Sequence, residues 1–458
     1  MTMRFFPLSA LALALSFAAP ASAQGQAIPP QWWQAFGDPL LNATEERALA
    51  GNLTLEAAAA RVDQARAMAR RAGAALLPSA SLTGSATAER QSLNAPLGAA
   101  ARKIGLPRDY ELYQAGIGAQ WEIDLFGGLA AGRRAAAADA VATLAEEQAA
   151  RLAVSAQVAD AYLQLRALQA RLALAQDQAR LRGQLAALVR QRAEQGLASD
   201  FDANRADAAH AAAQASIPPL RQAIAVDLDR LGVLTGERAW PDRLREAAPL
   251  PTGFTPALDA EPAALMRRRP DLAAAEARAA SAQARIGVVR AEYYPHLSLG
   301  GLVGVASVGG VSLTSGGSVT ASGGAAIRWR LFDFGRLDAE MAAARGARRE
   351  ALAQWRNAAL VASAEVGDAI AALDEGAREE AELARQAGLL ARARDQARDA
   401  YGQGALSLLD VLDADRTLLE ASDRLTQSRE ALARASVAAV RAMGGGFAGR
   451  QDEENHHG

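Results

Sequence analysis

The chain has 458 residues, 50% hydrophobic but only 5% aromatic, so its apolar content is Ala and Leu spread among charged and amide residues. That mixture favours long amphipathic helices over a string of compact domains. Its 49 basic and 51 acidic residues give a formal net charge of -2, which excludes a global basic field for nucleic acid, and the absence of Cys excludes disulfides, thiolate metal sites, cysteine nucleophiles and cysteine lipidation.

Residues 1–23 read as a secretory signal peptide. Arg4 is the basic start, Leu8 to Ala19 the apolar stretch and Ala21-Ser22-Ala23 the small-x-small cleavage pattern. No other uninterrupted apolar run reaches the roughly 20 residues of a transmembrane helix. A membrane crossing would therefore have to be a β-barrel, since only helices and closed barrels satisfy their backbone in lipid.

Residues 24–41 read as an extended segment. From Asn42 the apolar spacing is helical as far as Leu77, and Pro78 stops it. Strict alternation then predicts a strand over about 79–88, with Ser79, Ser81, Thr83, Ser85 and Thr87 on one face and Ala80, Leu82, Ala86 and Ala88 on the other. A polar loop from Glu89 to about Leu112 leads to a second strand, about 114–126, with Ile117, Trp121 and Ile123 opposite Gln114, Gln120 and Glu122. Residues 129–195 contain no proline, and at 1.5 Å per residue they predict roughly 100 Å of helix. A tip at 195–200 and a return helix over 200–235 complete the first unit, 42–236.

Pro241, Pro249, Pro251, Pro256, Pro262 and Pro270 mark a connector, 237–270, expected midway along the rod. Arg267-Arg268-Arg269 at its end could bind an anion, but a capped, solvated helix start is the simpler reading. The unit is then written again. Pro78-x2-Ser81-Leu82-x-Gly84 recurs as Pro295-x2-Ser298-Leu299-x-Gly301, and Gln195-Gly196-x2-Ser199-x2-Asp202-x3-Ala206-Asp207 recurs as Gln403-Gly404-x2-Ser407-x2-Asp410-x3-Ala414-Asp415. The second unit, 271–443, holds strands at about 296–305 and 318–332, a long helix 336–403, a tip 403–408 and a return helix 409–443. Residues 444–458 read as a disordered tail that includes His456-His457.

Aromatics gather where strands meet helices: Phe126, Tyr293, Tyr294, Phe332 and Phe334. Such a set fits the interfacial girdle of a barrel, or the packing of a helix-sheet junction. Four strands cannot close a barrel, whereas two copies would supply eight and three would supply twelve. Catalytic residues, metal ligands and cofactors are all expected to be absent. The sequence has no His/Asp/Glu cluster at ligand spacing, no phosphate-cradling Gly loop and no Ser nucleophile with a plausible His partner.

Five ordered motifs carry a resemblance. Trp32-Trp33-x2-Phe36-x-Asp38-Pro39, Arg268-Arg269-Pro270-Asp271, Ile286-Gly287-x6-Tyr294-Pro295, Trp329-x-Leu331-Phe332-Asp333-x-Gly335-Arg336 and Gly404-x5-Asp410-Val411-Leu412-Asp413-Ala414 are similar to those of the outer-membrane factor family of tripartite efflux and type I secretion systems. The double tryptophan and the Arg-Pro-Asp segment lean to its multidrug-efflux branch. The resemblance implies a mainly α fold with a membrane β-barrel part. Three copies would form a homotrimer, with a 12-stranded β-barrel continuing into a periplasmic α-helical barrel. It also implies a passive exit duct in the outer membrane of a Gram-negative bacterium, with outer-membrane lipid, a periplasmic adaptor (membrane fusion protein) and an inner-membrane pump of the RND type as partners. Many relatives in that branch carry a lipidated N-terminal Cys; with none here, the chain is not expected to be a lipoprotein.

By the same resemblance, Leu409, Asp410, Asp413 and Arg416 close the periplasmic end. Asp410 and Asp413 are i and i+3 on one helix face, so a trimer would place six carboxylates around a narrow axis and concentrate cations there. The plain alternative is a solvated helix start whose acids suit the dipole. The two tips, Gly196, Leu197, Ala198 and Ser199 with Gly404, Ala405, Leu406 and Ser407, would receive the adaptor, or simply reverse the chain. A duct for protein secretion or metal efflux shares these features. A trimeric coiled-coil adhesin or periplasmic scaffold would share the helices but would not need amphipathic strand pairs at matched places.

Overall fold

The protein is seen in a computed structural model that describes residues 29–92, 94–105, 107–256, 268–309 and 313–445. The signal peptide, Pro262 and Arg267 of the connector, and the tail beyond Gly445 with His456-His457 lie outside the described residues.

After a 3-10 turn at Trp32–Phe36 the elements run α1 (Pro39–Gly51), α2 (Leu53–Ala74), β1 (Ser79–Arg90), α3 (Pro96–Ile104), β2 (Asp109–Ile123), α4 (Gly128–Glu194), α5 (Asp200–Ala215) and α6 (Ile217–Thr235). A 3-10 turn at Trp240–Leu244 follows. The second half runs α7 (Pro270–Ala291), β3 (His296–Val308), β4 (Val319–Arg328), α8 (Arg336–Gly402) and α9 (Leu408–Ala442).

The strands form one antiparallel sheet in the order β1-β2-β3-β4. Its register sorts the side chains cleanly. Leu82 pairs with Ile117, Ile117 with Val303 and Val303 with Ala321, so these share an apolar face with Trp121, Leu299 and Ile327. Ser79, Gln120, Ser298 and Ser322 lie on the other face. Period-two alternation maps onto faces because successive Cβ atoms of a strand point opposite ways. Gly116 and Gly304 face each other on the polar side, where a Cβ on Gly304 would stand 2.7 Å from the Gly116 Cα.

Each long helix starts on a carboxylate cap: Asp124 accepts from the Leu129 and Ala130 N–H groups, and Asp333 from the Gly335 and Leu337 N–H groups. The preceding Gly127 and Gly335 take left-handed φ of 74° and 84°, the turn that converts strand into helix. Matched indoles tie strands to helix ends. Trp121 Nε1 donates to the Leu76 carbonyl at 2.9 Å, and Trp329 Nε1 to the Tyr293 carbonyl at 3.1 Å. Each long helix has 67 residues, about 100 Å. Nearest the sheet the helices lie side by side in the order α2, α4, α7, α8, which repeats the order of the strands; farther away α5 and α6 continue the line of α2, and α9 continues α7.

Several expected boundaries move. The helix expected over 42–77 starts at Pro39, inside the stretch read as extended, and is broken at Asn52, whose side chain caps α2 through the Thr54 and Leu55 N–H groups. The return helix expected over 200–235 is two helices, because Pro218 and Pro219 can open α6 but cannot continue α5. The loop from Glu89 contains α3. The second strand stops at Ile123 and the fourth at Arg328, so Trp329, Leu331 and Phe332 lie past the ladder. Arg269 is not solvated: it is 7% exposed, and its guanidinium bridges Asp271 and Glu365 while donating to the Ala442 carbonyl at 3.0 Å.

The main core sits at the waist. Trp32, Trp33, Leu41, Leu163, Leu165, Leu231 and Leu244 are buried where the N-terminal turn, α1, α6 and the connector wrap the middle of α4. Each such side chain contributes on the order of 2 kcal/mol. Fully buried Arg166 donates to the Glu246 carbonyl at 2.8 Å and to the Tyr162 hydroxyl at 3.1 Å, and Tyr162 donates to Asp38 at 2.6 Å. One buried guanidinium thus ties connector and N-terminus to the long helix.

Glu45 is also fully buried, against Ser155 and Ala159 of α4, and neither of its carboxyl oxygens completes a hydrogen bond. Burial raises its pKa well above 4.5, and the nearby Ser155 and Ala159 groups offset this only in part. The folded chain therefore holds a proton that the unfolded chain releases above about pH 4.5, and stability falls as pH rises from there. Glu45→Gln is expected to raise the thermal midpoint at pH 8 by a few degrees and to change little at pH 4, as read by calorimetry.

Candidate functional site

The end of the molecule far from the sheet is built from two helical hairpins, α4-α5 and α8-α9. Both turns use a glycine with left-handed φ, Gly196 at 71° and Gly404 at 76°. Ser199 caps α5 by accepting from the Asp202 N–H. Ser407 closes a full capping box with Asp410: the Asp410 carboxylate accepts from the Ser407 N–H at 2.9 Å and from its hydroxyl at 2.6 Å. Those bonds hold the Asp410 pKa below the usual carboxylate range, so it stays anionic. Leu197 is 74% exposed and Leu406 41%, beside Ala198 and Ala405 in the turns.

Past the cap, α9 has two faces. Leu408, Val411 and Asp415 are buried, while Leu409 is half exposed beside Asp410, Asp413 and Arg416. Arg416 donates to Asp413 at 2.8 Å and lies 3.6 Å from Glu420. The four expected gate residues are therefore brought together on one exposed face, with Asp410 engaged in capping and Asp413 in an exposed ion pair worth little by itself.

The buried face holds residues that sequence reasoning missed. Asp415 is 2% exposed and accepts from Arg398 Nη2 of α8 at 3.0 and 3.1 Å. Arg182 of α4 adds its charge from across the hairpins; burial lowers its pKa and Asp415 opposes that. Arg192 of α4 stands over the Tyr401 ring of α8 at 5.3 Å. Ala186 and Val189 of α4 pack with Leu408. Near the tips the hairpins thus meet through an apolar cluster, a cation-π contact and a buried carboxylate, and higher up through the Arg171–Asp423 and Asp160–Arg434 ion pairs. A signal for Asp415 and Arg398 existed: Arg190 and Asp207 form the same pair in the first copy, at the same spacing. That first pair faces solvent, and only the second is covered.

At the other end, Phe126 stacks on Tyr294 with ring centroids 4.5 Å apart, and the Tyr293 hydroxyl donates to Asp338 at 2.7 Å. Phe332 is 89% exposed and Phe334 102%, with Phe334 at a positive φ of 52°, a conformation a bulky residue adopts only at some cost. Among the described residues no group of His, Asp and Glu could hold a metal ion, and no helix is long and apolar enough to cross a membrane.

The family model described as outer membrane efflux protein matches residues 45–237 and 262–445. The chain belongs to the outer membrane efflux protein family. It is 33% identical to the pyoverdine export outer membrane protein OpmQ of Pseudomonas putida, over 96% of this chain and 93% of that protein. It is 32% identical to the outer membrane protein OprJ of Pseudomonas aeruginosa, over 94% and 89%. Among solved structures it is similar to the outer-membrane channel OprN, with a TM-score of 0.84 and 31% identity over 92% and 94% of the two chains. Similarity extends to VceC of Vibrio cholerae, with a TM-score of 0.83 and 27% identity over 92% and 100%. As a member of this family the chain is a passive outer-membrane efflux channel component and not an enzyme, which separates it from an adhesin or scaffold.

Proposed function

We propose that three copies of this chain form the outer-membrane exit duct of a tripartite efflux system. The open sheet carries the reading. Edge strands β1 and β4, of 12 and 10 residues, have no outer partner among the described residues, yet the sheet presents a continuous apolar face. Unpaired strand edges are not tolerated in lipid, and β4 of one copy pairing with β1 of the next would close twelve strands without an edge. From Tyr113 to Ile123 the apolar face is roughly 34 Å along the strand, about 26 Å upright at a 40° tilt, close to the apolar band of an outer-membrane barrel. Trp121, Trp329, Phe126, Tyr293, Tyr294, Phe332 and Phe334 would then form the girdle at its lower rim.

In this reading the helices continue the duct through the periplasm. Leu409, Asp410, Asp413 and Arg416 face its axis at the far end, and an inner-membrane pump of the RND type feeds it through an adaptor. The cargo is a small organic molecule, the class to which pyoverdine belongs. Planar-bilayer recording tests the duct, which is expected to conduct, and Asp413→Ala is expected to raise its conductance. Conductance identical to wild type would count against a gate at these residues. The tips Gly196 to Ser199 and Gly404 to Ser407 receive the adaptor's helices. Ser407→Arg should cut site-specific crosslinking to the adaptor at least fivefold while trimers persist; unchanged crosslinking would sink the docking assignment.

A further inference from the structure

Where the helices meet the sheet, charges are satisfied very unequally. Most carboxylates of this band have partners: Asp124 and Asp333 cap α4 and α8, Glu292 holds Arg330, Asp139 holds Arg285, Glu340 holds Arg336, Glu122 holds His296 and Asp338 accepts from the Tyr293 hydroxyl, while Asp63 of α2 is exposed with no partner among the described residues. Six arginines in the same band, Arg66, Arg70, Arg71, Arg133, Arg134 and Arg290, are exposed and have no hydrogen-bond or carboxylate partner among the described residues. Counted along the helices they lie about 2 to 12 Å from the helix ends nearest the strands.

Helix stability does not account for all of them. Arg71 and Arg290 occupy the last turns of α2 and α7, where a cation suits the dipole. Arg133 and Arg134 lie in the second turn of α4, beyond the reach of the dipole, and Arg66 and Arg70 are like charges at i and i+4, with Asp63 three residues before Arg66. The helices themselves therefore gain little from four of these arginines. The apolar face of the sheet ends at this level, and a lipid headgroup layer extends about 5 to 8 Å beyond the hydrocarbon core.

We propose that this arginine collar binds the phosphate headgroups of anionic phospholipid in the leaflet that borders the helical part. The proposal rests on the membrane-duct reading above. A guanidinium fork matches a phosphate in shape and charge, and several of them in one plane attract an anionic leaflet additively. The collar would fix the depth of the duct in the membrane from the charged side, as the aromatic rim does from the apolar side.

The test is native mass spectrometry of the trimer in micelles doped with equal phosphatidylglycerol and phosphatidylcholine. Wild type is expected to retain phosphatidylglycerol preferentially, and the R70Q/R71Q/R133Q/R134Q variant to lose that preference at least about tenfold. The R133Q/R134Q double variant leaves α2 untouched and should lose part of it, so a folding defect in the quadruple variant does not remove the test. Equal lipid retention by wild type and variants overturns the proposal. So does a change of reversal potential in pure phosphatidylcholine bilayers without a change in lipid preference, which would turn the arginines toward the pore. A wild-type trimer that fails to conduct in those bilayers would instead sink the duct reading.

Discussion

Gly304→Val is expected to abolish the trimer, leaving little protein in the outer-membrane fraction and no slow-migrating trimer band on a mild gel. A Cβ at position 304 would stand 2.7 Å from the Gly116 Cα and press on the Ala115 carbonyl, so it meets backbone and not the end of a movable side chain. Neither β2 nor β3 can retreat without giving up ladder hydrogen bonds on both sides, because both are interior strands of the sheet. Overpacking typically costs about 1 to 3 kcal/mol and more where, as here, it meets backbone, a large share of the margin of a folded domain. Gly324→Val is the control. It lies on the same polar face, in β4, with nothing within 4 Å of its Cβ, and should assemble as wild type does. Wild-type trimer yield from Gly304→Val would refute this account of the close approach of β2 and β3.

Asp415→Ala should hold the channel open. The substitution leaves Arg398 without its carboxylate and removes the charge that faces Arg182 across the hairpins. The pair with Arg398 lies within the α8-α9 hairpin, so its loss, on the order of 2 kcal/mol with Arg398 one-third exposed, loosens α9 against α8, while loss of the charge that faces Arg182 favours separation of α9 from α4. The readout is mean open time and conductance in planar bilayers. Asp207→Ala removes the matching carboxylate of the first copy, whose pair with Arg190 is solvent-exposed, and should change neither. If both variants behave as wild type, Asp415 does not hold α9 against α4.

Much of this molecule is legible residue by residue. Ser79 through Ala88 alternate, and the register puts Leu82 and Ser81 on opposite faces as a period of two requires. The tips are legible because a left-handed glycine followed by a Ser cap is a local device, written twice at one spacing. Apolar periodicity runs through Asn52 and Ser216 and hides the single Asn cap and the Pro218-Pro219 pair that divide the helices there. Arg269 reads as solvated from its neighbours in sequence for a different reason: its partner Glu365 lies on α8, and the Ala442 carbonyl closes the end of α9. No local pattern joins residues so far apart.

The sequence by itself determined the twofold writing of the unit, the faces of its strands, the length of its rods and the absence of catalytic machinery. All of these depend on spacing along the chain. Only the tertiary structure decided which copy of a repeated feature does what. Arg190–Asp207 and Arg398–Asp415 are the same pair on equivalent helical hairpins, yet one is in water and the Asp415 carboxylate of the other is buried beside α4. Burial is a property of neighbours, and it is burial that turns an exposed ion pair of negligible worth into a latch.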